Sequence, residues 1–307
     1  MSKRVLFVVG PTGCGKSKLA LALARKINGE IISCDSMQVY RKMDIGTAKP
    51  TKKEQKLVPH HLINLISTRT ECSALKHCHL TLTTIDTILA RRRTPIVVGG
   101  SGLYFKALVD GLVPQPGKQA KIRKRLENLG ELKGTEHLYL QLKKMNPERA
   151  QELHPNDQRR IIRALEILEF SKRSQSSLQQ RTESLSSKGI EPVVFGLLRD
   201  RAELYERIEK RVDQMFQEGW IDEVKSIKRV GLSKTAKAAI GYKEILEYLE
   251  GKQNLEEINI EIKKRTRHLA KKQMTWFRKD KRIHWIHISG NGFVPDAVQM
   301  VVKSWKN

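Results

Sequence analysis

The chain has 307 residues, and its 58 lysines and arginines outnumber its 33 aspartates and glutamates, which gives a formal net charge of +25. This length suffices for one large core with a smaller appended domain, and the charge favours a polyanionic partner, either nucleic acid or an anionic membrane. The first apolar run is too short for a signal peptide, and no run approaches the length of a membrane-spanning helix. We therefore expect a cytoplasmic protein without a membrane partner, and we expect it to be a monomer.

Short β-rich runs alternate with helical runs in the first third of the chain. Strands are predicted at VLFVV, EIISC, HLINLI and PIVVGG, and helices from Lys16 and through LTLTTIDTILARRR. The apolar runs are continuous, which is typical of strands buried on both faces. The pattern predicts an α/β fold in which helices flank a parallel sheet.

The pattern changes after residue 113. Between Pro114 and Gly189 the apolar residues recur at helical spacing, in IRKRLENL, LYLQLKKM and IIRALEILEF, and no convincing strand is present. The strand EPVVFGLL follows, then several helices, a last strand IHWIHI and a final helix. We predict an α/β core from residues 1–113 and 190–307, interrupted by a helical insertion domain at 114–189.

The segment GPTGCGKS lies between the first predicted strand and helix and fits the phosphate-binding pattern G-x-x-x-x-G-K-[ST]. Glycines let the backbone turn tightly so that its N–H groups point at anionic oxygens, Lys16 adds a positive charge, and Ser17 can ligate Mg²⁺. The pattern leaves open whether the anion is ATP or another diphosphate. The predicted anion site, of the P-loop type, comprises Gly10, Pro11, Thr12, Gly13, Cys14, Gly15, Lys16 and Ser17.

Asp35 is predicted to follow the second strand at its carboxyl end, the edge at which open α/β sheets bind ligands. A carboxylate there can hold Mg²⁺ through water or act as a general base, and the alternative is an Asp-Ser turn. The nearby DIGTAKP is expected to present Thr47 and Lys49 at the same edge. The strand PIVVGG ends in glycines before Ser101, without the aspartate that an ATPase carries there, which weakens an ATPase interpretation.

Two basic segments favour nucleic acid as the partner. In HPNDQRRIIRALEI, Arg159 and Arg163 are spaced to share a helix face, which suits phosphates but is also typical of a solvated face. Residues 263–282 contain ten lysines and arginines and one acidic residue, interleaved with aromatic rings. Among those rings, Trp276 is expected to belong to the core.

Cysteine and histidine residues do not form a metal-binding pattern. The four cysteines all lie before residue 79 and are too scattered for a disulfide framework. The segment ECSALKHCHL brings two of them close to His77 and His79, but no second pair follows at zinc-finger spacing. Because this segment lies on an apolar helical pattern, a structural role is favoured.

Nine segments together resemble the tRNA dimethylallyltransferase family, in order and from Gly10 to about Trp285: GPTGCGKS, DSMQVY, MDIGTAKP, HHLI, GGSGLY, HPNDQRRIIRALEI, RIEKRVDQM, IGYKEI and AKKQMTWFR. The resemblance implies transfer of a dimethylallyl group from dimethylallyl diphosphate to the N6 amine of adenosine 37, in tRNAs that read codons beginning with U. It also implies Mg²⁺ as a cofactor and the tRNA anticodon stem-loop as the partner.

Position by position, the resemblance places the prenyl diphosphate on residues 12–17 and implies catalytic roles for Thr12 and for Asp35, the latter as the base. It implies a diphosphate-neutralising arginine in RIEKRVDQM, which we take to be Arg211 with Arg207 as the alternative. Departures from the family pattern are mild, such as Cys14 in place of Ala or Ser. The implied tRNA contacts are Asp35, Ser36, Met37, Gln38, Ser101, Arg123, Arg159, Arg160, Ile161, Ile162 and Arg163.

Three other functions remain open at this point. A kinase could use the same loop for ATP, and a related prenyltransferase could act on free AMP-like nucleotides, but both leave the basic surface without a role. A nucleic-acid-binding protein with an inactive loop would show no turnover.

Overall fold

The computed structural model describes residues 3–112, 117, 119–174, 182–290 and 292–306, except for the side chains of 172–174 and 306. Its strands are β1 (Arg4–Val9), β2 (Gly29–Ser33), β3 (His60–His61), β4 (Thr94–Gly99), β5 (Glu191–Leu198) and β6 (Ile283–His287). Its helices are α1 (Lys16–Lys26), α2 (Lys52–Leu57), α3 (Ala74–Ala90), α4 (Gly102–Asp110), α5 (Ala120–Met145), α6 (Pro147–Gln151), α7 (Gln158–Ser174), α8 (Arg201–Gln217), α9 (Trp220–Val230), α10 (Lys234–Lys237), α11 (Tyr242–Leu249), α12 (Leu255–Phe277) and α13 (Val294–Lys306).

The six strands form one parallel sheet in the order β3-β2-β4-β1-β5-β6. Strand β1 lies at its centre, where Leu6 pairs with Ile96 on one side and with Val193 on the other. All carboxyl ends of parallel strands lie at one edge of the sheet. The loops that follow β1, β2 and β4 therefore converge at that edge, and the predicted α/β fold class is confirmed.

Helices cover the sheet because their apolar faces match its buried faces. Leu19 and Leu23 of α1 pack in one hydrophobic cluster with Leu6 and Phe195 of the sheet. Gly15 precedes the first residue of this helix, and because glycine has no side chain it places no side-chain cap on the first N–H groups. Those unsatisfied donors carry the positive end of the helix dipole, so they face the loop as a place for an anion.

A second hydrophobic cluster joins the segment after β2 to the carboxyl-terminal helices. Tyr40 and Met43 lie in it beside Trp220 of α9, Tyr242 of α11 and Ile258 of α12. The Trp220 ring leaves no room for a side chain at Gly46, where a Cβ atom would approach the indole nitrogen to 2.2 Å. Packing on these helices therefore fixes the loop that contains DIGTAKP.

The chain divides by its internal contacts into a unit of residues 1–111 with 183–307, and a second unit of residues 112–182. The sequence suggested boundaries at 114 and 189. Residues 183–189 pack with the larger unit, because Leu185 N donates to Leu108 O at 2.8 Å and Ser186 Oγ donates to Val109 O at 2.7 Å.

The smaller unit is helical where it is described. Helix α5 has a kink at Gly134, whose φ of 81° lies outside the helical region. Leu126 and Leu142 of α5 form a hydrophobic core with Ile161 and Leu165 of α7. The prediction of helices without strands is confirmed for the described residues of this unit.

The predicted strand HLINLI is wrong over most of its length, because β3 contains only His60 and His61. Leu62 and Asn64 have φ values of 61° and 55°, which break the extended backbone. The following residues bond instead to the segment after β2, where Leu65 N donates to Val39 O at 2.8 Å. In the part of the chain that the structure describes, no helix is both long and apolar enough to cross a membrane.

Candidate active site at the carboxyl ends of the strands

The loop of residues 10–17 connects β1 to α1 and depends on its glycines. Gly10, Gly13 and Gly15 have φ values of 136°, 81° and 104°, a region that residues with a Cβ atom rarely adopt. A Cβ atom at Gly10 would lie 2.9 Å from Leu197 O, and one at Gly15 would lie 2.7 Å from the Phe293 ring. The glycines therefore allow β5 and the Phe293 ring to pack directly against the loop.

Lys16 folds over the loop, where its Nζ donates to Pro11 O at 2.6 Å. Burial lowers the pKa of Lys16, and so does Arg211, while Cys14 and Asp35 raise it. An anion placed in the loop would receive hydrogen bonds from this ammonium group and favour its charged form.

Two arginines of α8 contact the loop, and they are the predicted Arg211 and its alternative, Arg207. Arg211 Nη1 donates to Thr12 Oγ1 at 3.3 Å, and Arg207 Nε donates to Gly13 O at 3.1 Å. Burial lowers the pKa of Arg211, an effect that Asp35 and Cys14 oppose. Arg211 therefore has its guanidinium at a side chain of the loop and within the field of Asp35, whereas Arg207 holds the loop backbone.

Asp35 lies two residues beyond the end of β2, as predicted. Its Oδ1 accepts a hydrogen bond from Met37 N at 2.8 Å, so the Asp-Ser turn is present as well. Asp35 therefore lies at the same sheet edge as the loop of residues 10–17, and it raises the pKa values of Lys16 and Arg211. The turn and the chemical role are thus compatible, because the turn orients the carboxylate.

The side chains of Gln38 and Lys49 bond within the protein. The expectation that Lys49 faces the sheet edge is wrong, whereas the tRNA contact implied for Gln38 stays a prediction. Gln38 Nε2 donates to Thr47 O and Ala48 O at 3.2 and 3.3 Å. Lys49 is buried and donates to Asp44 Oδ1 at 2.7 Å as well as to Tyr40 O. These side chains hold the loop in shape, so Lys49 does not present a charge at the sheet edge.

The end of β4 contributes Ser101, which precedes the first residue of α4. Its hydroxyl makes no cap to that helix, so it is available to a ligand. A Cβ atom at Gly99 would lie 2.1 Å from Cys34 O, which shows how closely the ends of β2 and β4 approach. No carboxylate occupies the position at which an ATPase carries its metal-binding aspartate.

Oxygen donors at this edge suit Mg²⁺. In the described residues, Ser17 Oγ makes no hydrogen bond to protein, and no three His, Cys, Asp or Glu side chains are grouped to hold a metal ion. Mg²⁺ prefers oxygen ligands and usually keeps several waters and substrate phosphates. Ser17 and Asp35 are the residues that would hold such an ion, together with a diphosphate.

Gln273 of α12 is a site residue that sequence reasoning did not single out. Its Oε1 accepts a hydrogen bond from Thr12 N at 2.8 Å, far away in sequence. Ala270, Met274 and Phe277, at helical spacing around it, are buried. A glutamine on the buried stripe of a basic helix was the available signal.

In the helical unit, Glu166 occupies the centre of the predicted RNA-binding group. It is fully buried, and its carboxylate pairs with Arg123 at 2.9 Å and with Arg163 at 3.0 Å. Although burial raises the pKa of Glu166, hydrogen bonds from Gln119 N and both arginines hold it below its ordinary value. Two predicted contacts therefore carry partly neutralised guanidinium groups.

The other predicted contacts on α7 divide into two kinds. Arg159 and Arg160 are exposed, and Arg160 pairs loosely with Asp157 at 3.5 Å. Ile161 and Ile162 are buried in the core of the helical unit. Their side chains do not reach the surface, so a contact with RNA from these two positions would have to come from the backbone.

Fewer residues of the basic segment 263–282 form an unpaired charged surface than its sequence indicates. Arg265 and Arg267 pair with Glu244 and Glu209 of neighbouring helices. Trp276 is half-buried, with its ring edge-on to Phe277 at 5.1 Å. We call the remaining group the 271–281 surface; within the described chain these exposed cations have no acidic partner: Lys271, Lys272, Arg278, Lys279 and Lys281.

Comparisons with known proteins agree over nearly the whole chain. A sequence model of the family described as IPP transferase matches residues 38–280. The tRNA dimethylallyltransferase of Syntrophomonas wolfei is 45% identical over 92% of this chain and 90% of its own length.

Solved structures give the same result. A tRNA isopentenylpyrophosphate transferase from Bacillus halodurans is similar with a TM-score of 0.71 and 36% identity, covering 99% of this chain and 97% of its own. A eukaryotic dimethylallyltransferase acting on tRNA is similar with a TM-score of 0.75 and 27% identity, covering 98% of this chain and 78% of its own. The chain therefore belongs to the IPP transferase family.

Proposed function

We propose that this enzyme transfers the dimethylallyl group of dimethylallyl diphosphate to the N6 amine of adenosine 37 in tRNAs that read codons beginning with U. The observation that carries the proposal is the position of Asp35, a carboxylate that follows β2 at the sheet edge where the loop of residues 10–17 brings together Lys16 and the Arg211 contact to Thr12. One sheet edge thus offers a proton acceptor, Asp35, beside a group of anion-binding donors formed by Thr12, Lys16 and Arg211, which we call the cationic cradle.

The loop and its cations are suited to a leaving diphosphate. As the carbon–oxygen bond breaks, negative charge grows on the diphosphate, and fixed N–H groups and cations stabilise that charge. Lys16, Arg211 and the N–H groups at the start of α1 supply them, and Thr12 adds a hydroxyl. When bound, Mg²⁺ would neutralise further charge there, held by Ser17 together with the diphosphate.

Asp35 is suited to accept a proton from the attacking amine. The exocyclic amine of adenine is a poor nucleophile, so loss of its proton has to accompany formation of the carbon–nitrogen bond. One N–H proton passes to the Asp35 carboxylate while the nitrogen lone pair bonds to the prenyl carbon, and the carbon–oxygen electron pair leaves with the diphosphate. The bond from Met37 N keeps one carboxylate oxygen oriented during this step.

The charge distribution supports RNA as the substrate. The net charge of +25 favours a polyanion, and the 271–281 surface together with Arg159 and Arg160 supplies exposed cations. A base inside a stacked stem-loop must leave its stack to reach Asp35, at a cost of about a few kcal/mol. Contacts to the RNA backbone offset that cost, which gives the basic surface a role that neither an ATP-dependent kinase nor transfer to AMP provides.

A transfer assay tests this function. Purified protein with Mg²⁺ and labelled dimethylallyl diphosphate is incubated with unmodified tRNA bearing A36 and A37, with the same tRNA carrying G37, and with AMP. We expect label only on the first substrate. Label on AMP would identify a free-nucleotide prenyltransferase, phosphate transfer from ATP would identify a kinase, and tRNA binding without label would identify a binding protein.

A further inference from the structure

Gln273 links two loops of the site that are far apart in the chain. Its Oε1 accepts the hydrogen bond from Thr12 N at 2.8 Å. At its other end, Nε2 lies so close to Gly100 that a Cβ atom built there would be 2.4 Å away. One side chain of α12 thus spans from the loop after β1 to the loop after β4.

The contact at Thr12 matters because Thr12 is itself part of the cationic cradle. Its hydroxyl accepts the hydrogen bond from Arg211 Nη1 at 3.3 Å. The allowed rotamers of a side chain depend on the dihedral angles of its own backbone, so a hydrogen bond that fixes the Thr12 backbone also restricts the direction of the Thr12 hydroxyl. Gln273 therefore constrains the point at which Arg211 meets the loop.

The contact at Gly100 explains why this position has no side chain. Gly100 is not in the left-handed region, so its backbone would accept an alanine, and space is the limitation. In the described part of the chain, Nε2 of Gln273 makes no hydrogen bond to protein. The amide group is therefore held at this end by fit alone.

We propose that Gln273 is a positioning residue: it fixes Thr12, and through Thr12 the guanidinium of Arg211, in the geometry that receives the diphosphate. This inference rests on the proposed function for the identity of the anion. It makes Gly100 part of the same device, because a larger residue there displaces the Gln273 side chain.

The alternative is that Gln273 merely stabilises the fold. The two roles differ in what they change. A structural hydrogen bond affects the stability of the whole chain and all substrates alike, whereas a positioning bond changes diphosphate binding and leaves tRNA binding unaltered. The net value of one such bond corresponds to a change of about 2- to 12-fold in an equilibrium constant.

Gln273→Met is the first test, because methionine has a similar length and its thioether sulfur is only a weak acceptor for the Thr12 N–H group. We expect the Kd for inorganic diphosphate and the KM for dimethylallyl diphosphate to rise about fivefold, and kcat to fall, with the Kd for tRNA unchanged. Gln214→Met is the matched control, since Gln214 is exposed on α8 and its side chain donates to Glu218 Oε1 at 2.7 Å, away from the loop of residues 10–17.

Gly100→Ala is the second test and does not alter Gln273 itself. We expect the same rise in Kd and KM, and we expect the double variant to be no worse than the more impaired single variant, because both changes break one device. Thermal unfolding of each variant identifies any that fails to fold.

The outcomes separate this inference from the proposed function. If Gln273→Met matches Gln214→Met in diphosphate binding, or if the double variant shows the sum of both effects, the positioning role is wrong. If the wild-type protein binds diphosphate but transfers nothing to tRNA, the proposed function is wrong, and the binding measurements still decide the role of Gln273.

Discussion

Replacing Asp35 with asparagine separates catalysis from binding at this site. The Asp35 Oδ1 atom accepts the bond from Met37 N at 2.8 Å, and an asparagine oxygen can accept the same bond, so the turn is preserved. The variant loses a proton acceptor and one negative charge. Loss of a general base lowers a rate by about 10²- to 10⁴-fold, which corresponds to roughly 3 to 5.5 kcal/mol in the barrier.

The lost charge has a predictable sign in binding. Asp35 raises the pKa values of Lys16 and Arg211 against the effect of burial, so it offsets part of their positive charge. Removing it makes the loop more positive, and the affinity for inorganic diphosphate should stay equal or increase. The affinity for tRNA should likewise be maintained, because RNA is repelled by carboxylates.

Single-turnover transfer of the labelled prenyl group measures the rate, and filter binding measures the affinity for tRNA. Asp86→Asn is the matched control, because Asp86 lies on α3 and pairs with Lys188 at 2.8 Å. A rate equal to that of the control would remove Asp35 as the base. A loss of tRNA affinity as large as the loss of rate would make Asp35 a docking residue.

Three further predictions follow from contacts in both units. Arg211→Lys loses the Nη1 atom that donates to Thr12 and should lower kcat/KM for dimethylallyl diphosphate about 100-fold. The loss should be larger than that caused by Arg207→Lys, and equal losses would contradict the distinct roles of the two arginines. Glu166→Gln breaks two ion pairs and should reduce the free energy of unfolding by about 2 kcal/mol in urea, whereas an unchanged midpoint would contradict its central role. Burial lowers the pKa of His77 to about 4, from an ordinary value of 6.5. The contribution of this neutral histidine to the free energy of unfolding is therefore fully present above pH 6.5 and should fall by about 3 kcal/mol as the pH falls towards 4. In urea unfolding at pH 7 and pH 4.5, His77→Phe should reduce this difference.

Features of local sequence predicted much of the fold and part of the site. The glycine pattern with its flanking strand and helix predicted the loop at residues 10–17, because few other arrangements need glycine at these three positions. Asp35 was predicted to lie at the same edge because parallel strands end together. Continuous apolar runs in the sequence predicted β1, β2, β4 and β5 close to their observed bounds.

Contacts between distant segments could not be predicted in this way. Lys49 reads as a free cation in DIGTAKP, and only the folded chain reveals that it is buried against Asp44. The HLINLI segment has the composition of a strand, but bonds to the segment after β2 bend it. The buried stripe of α12 marks Gln273 as unusual, but its partner Thr12 is known only from the folded chain, where α12 crosses the loop.

The packing of Phe293 behind Gly15 has a consequence for how the protein is made. The Phe293 ring packs against Gly15 of the loop. The Arg199 guanidinium carbon lies 5.0 Å from the centre of that ring, and Arg199 Nη1 also donates to Gly290 O at 2.9 Å. On the ribosome, the loop of residues 10–17 is synthesised long before Phe293, which packs against it. A nascent chain therefore lacks this packing contact against the loop until synthesis has passed residue 293.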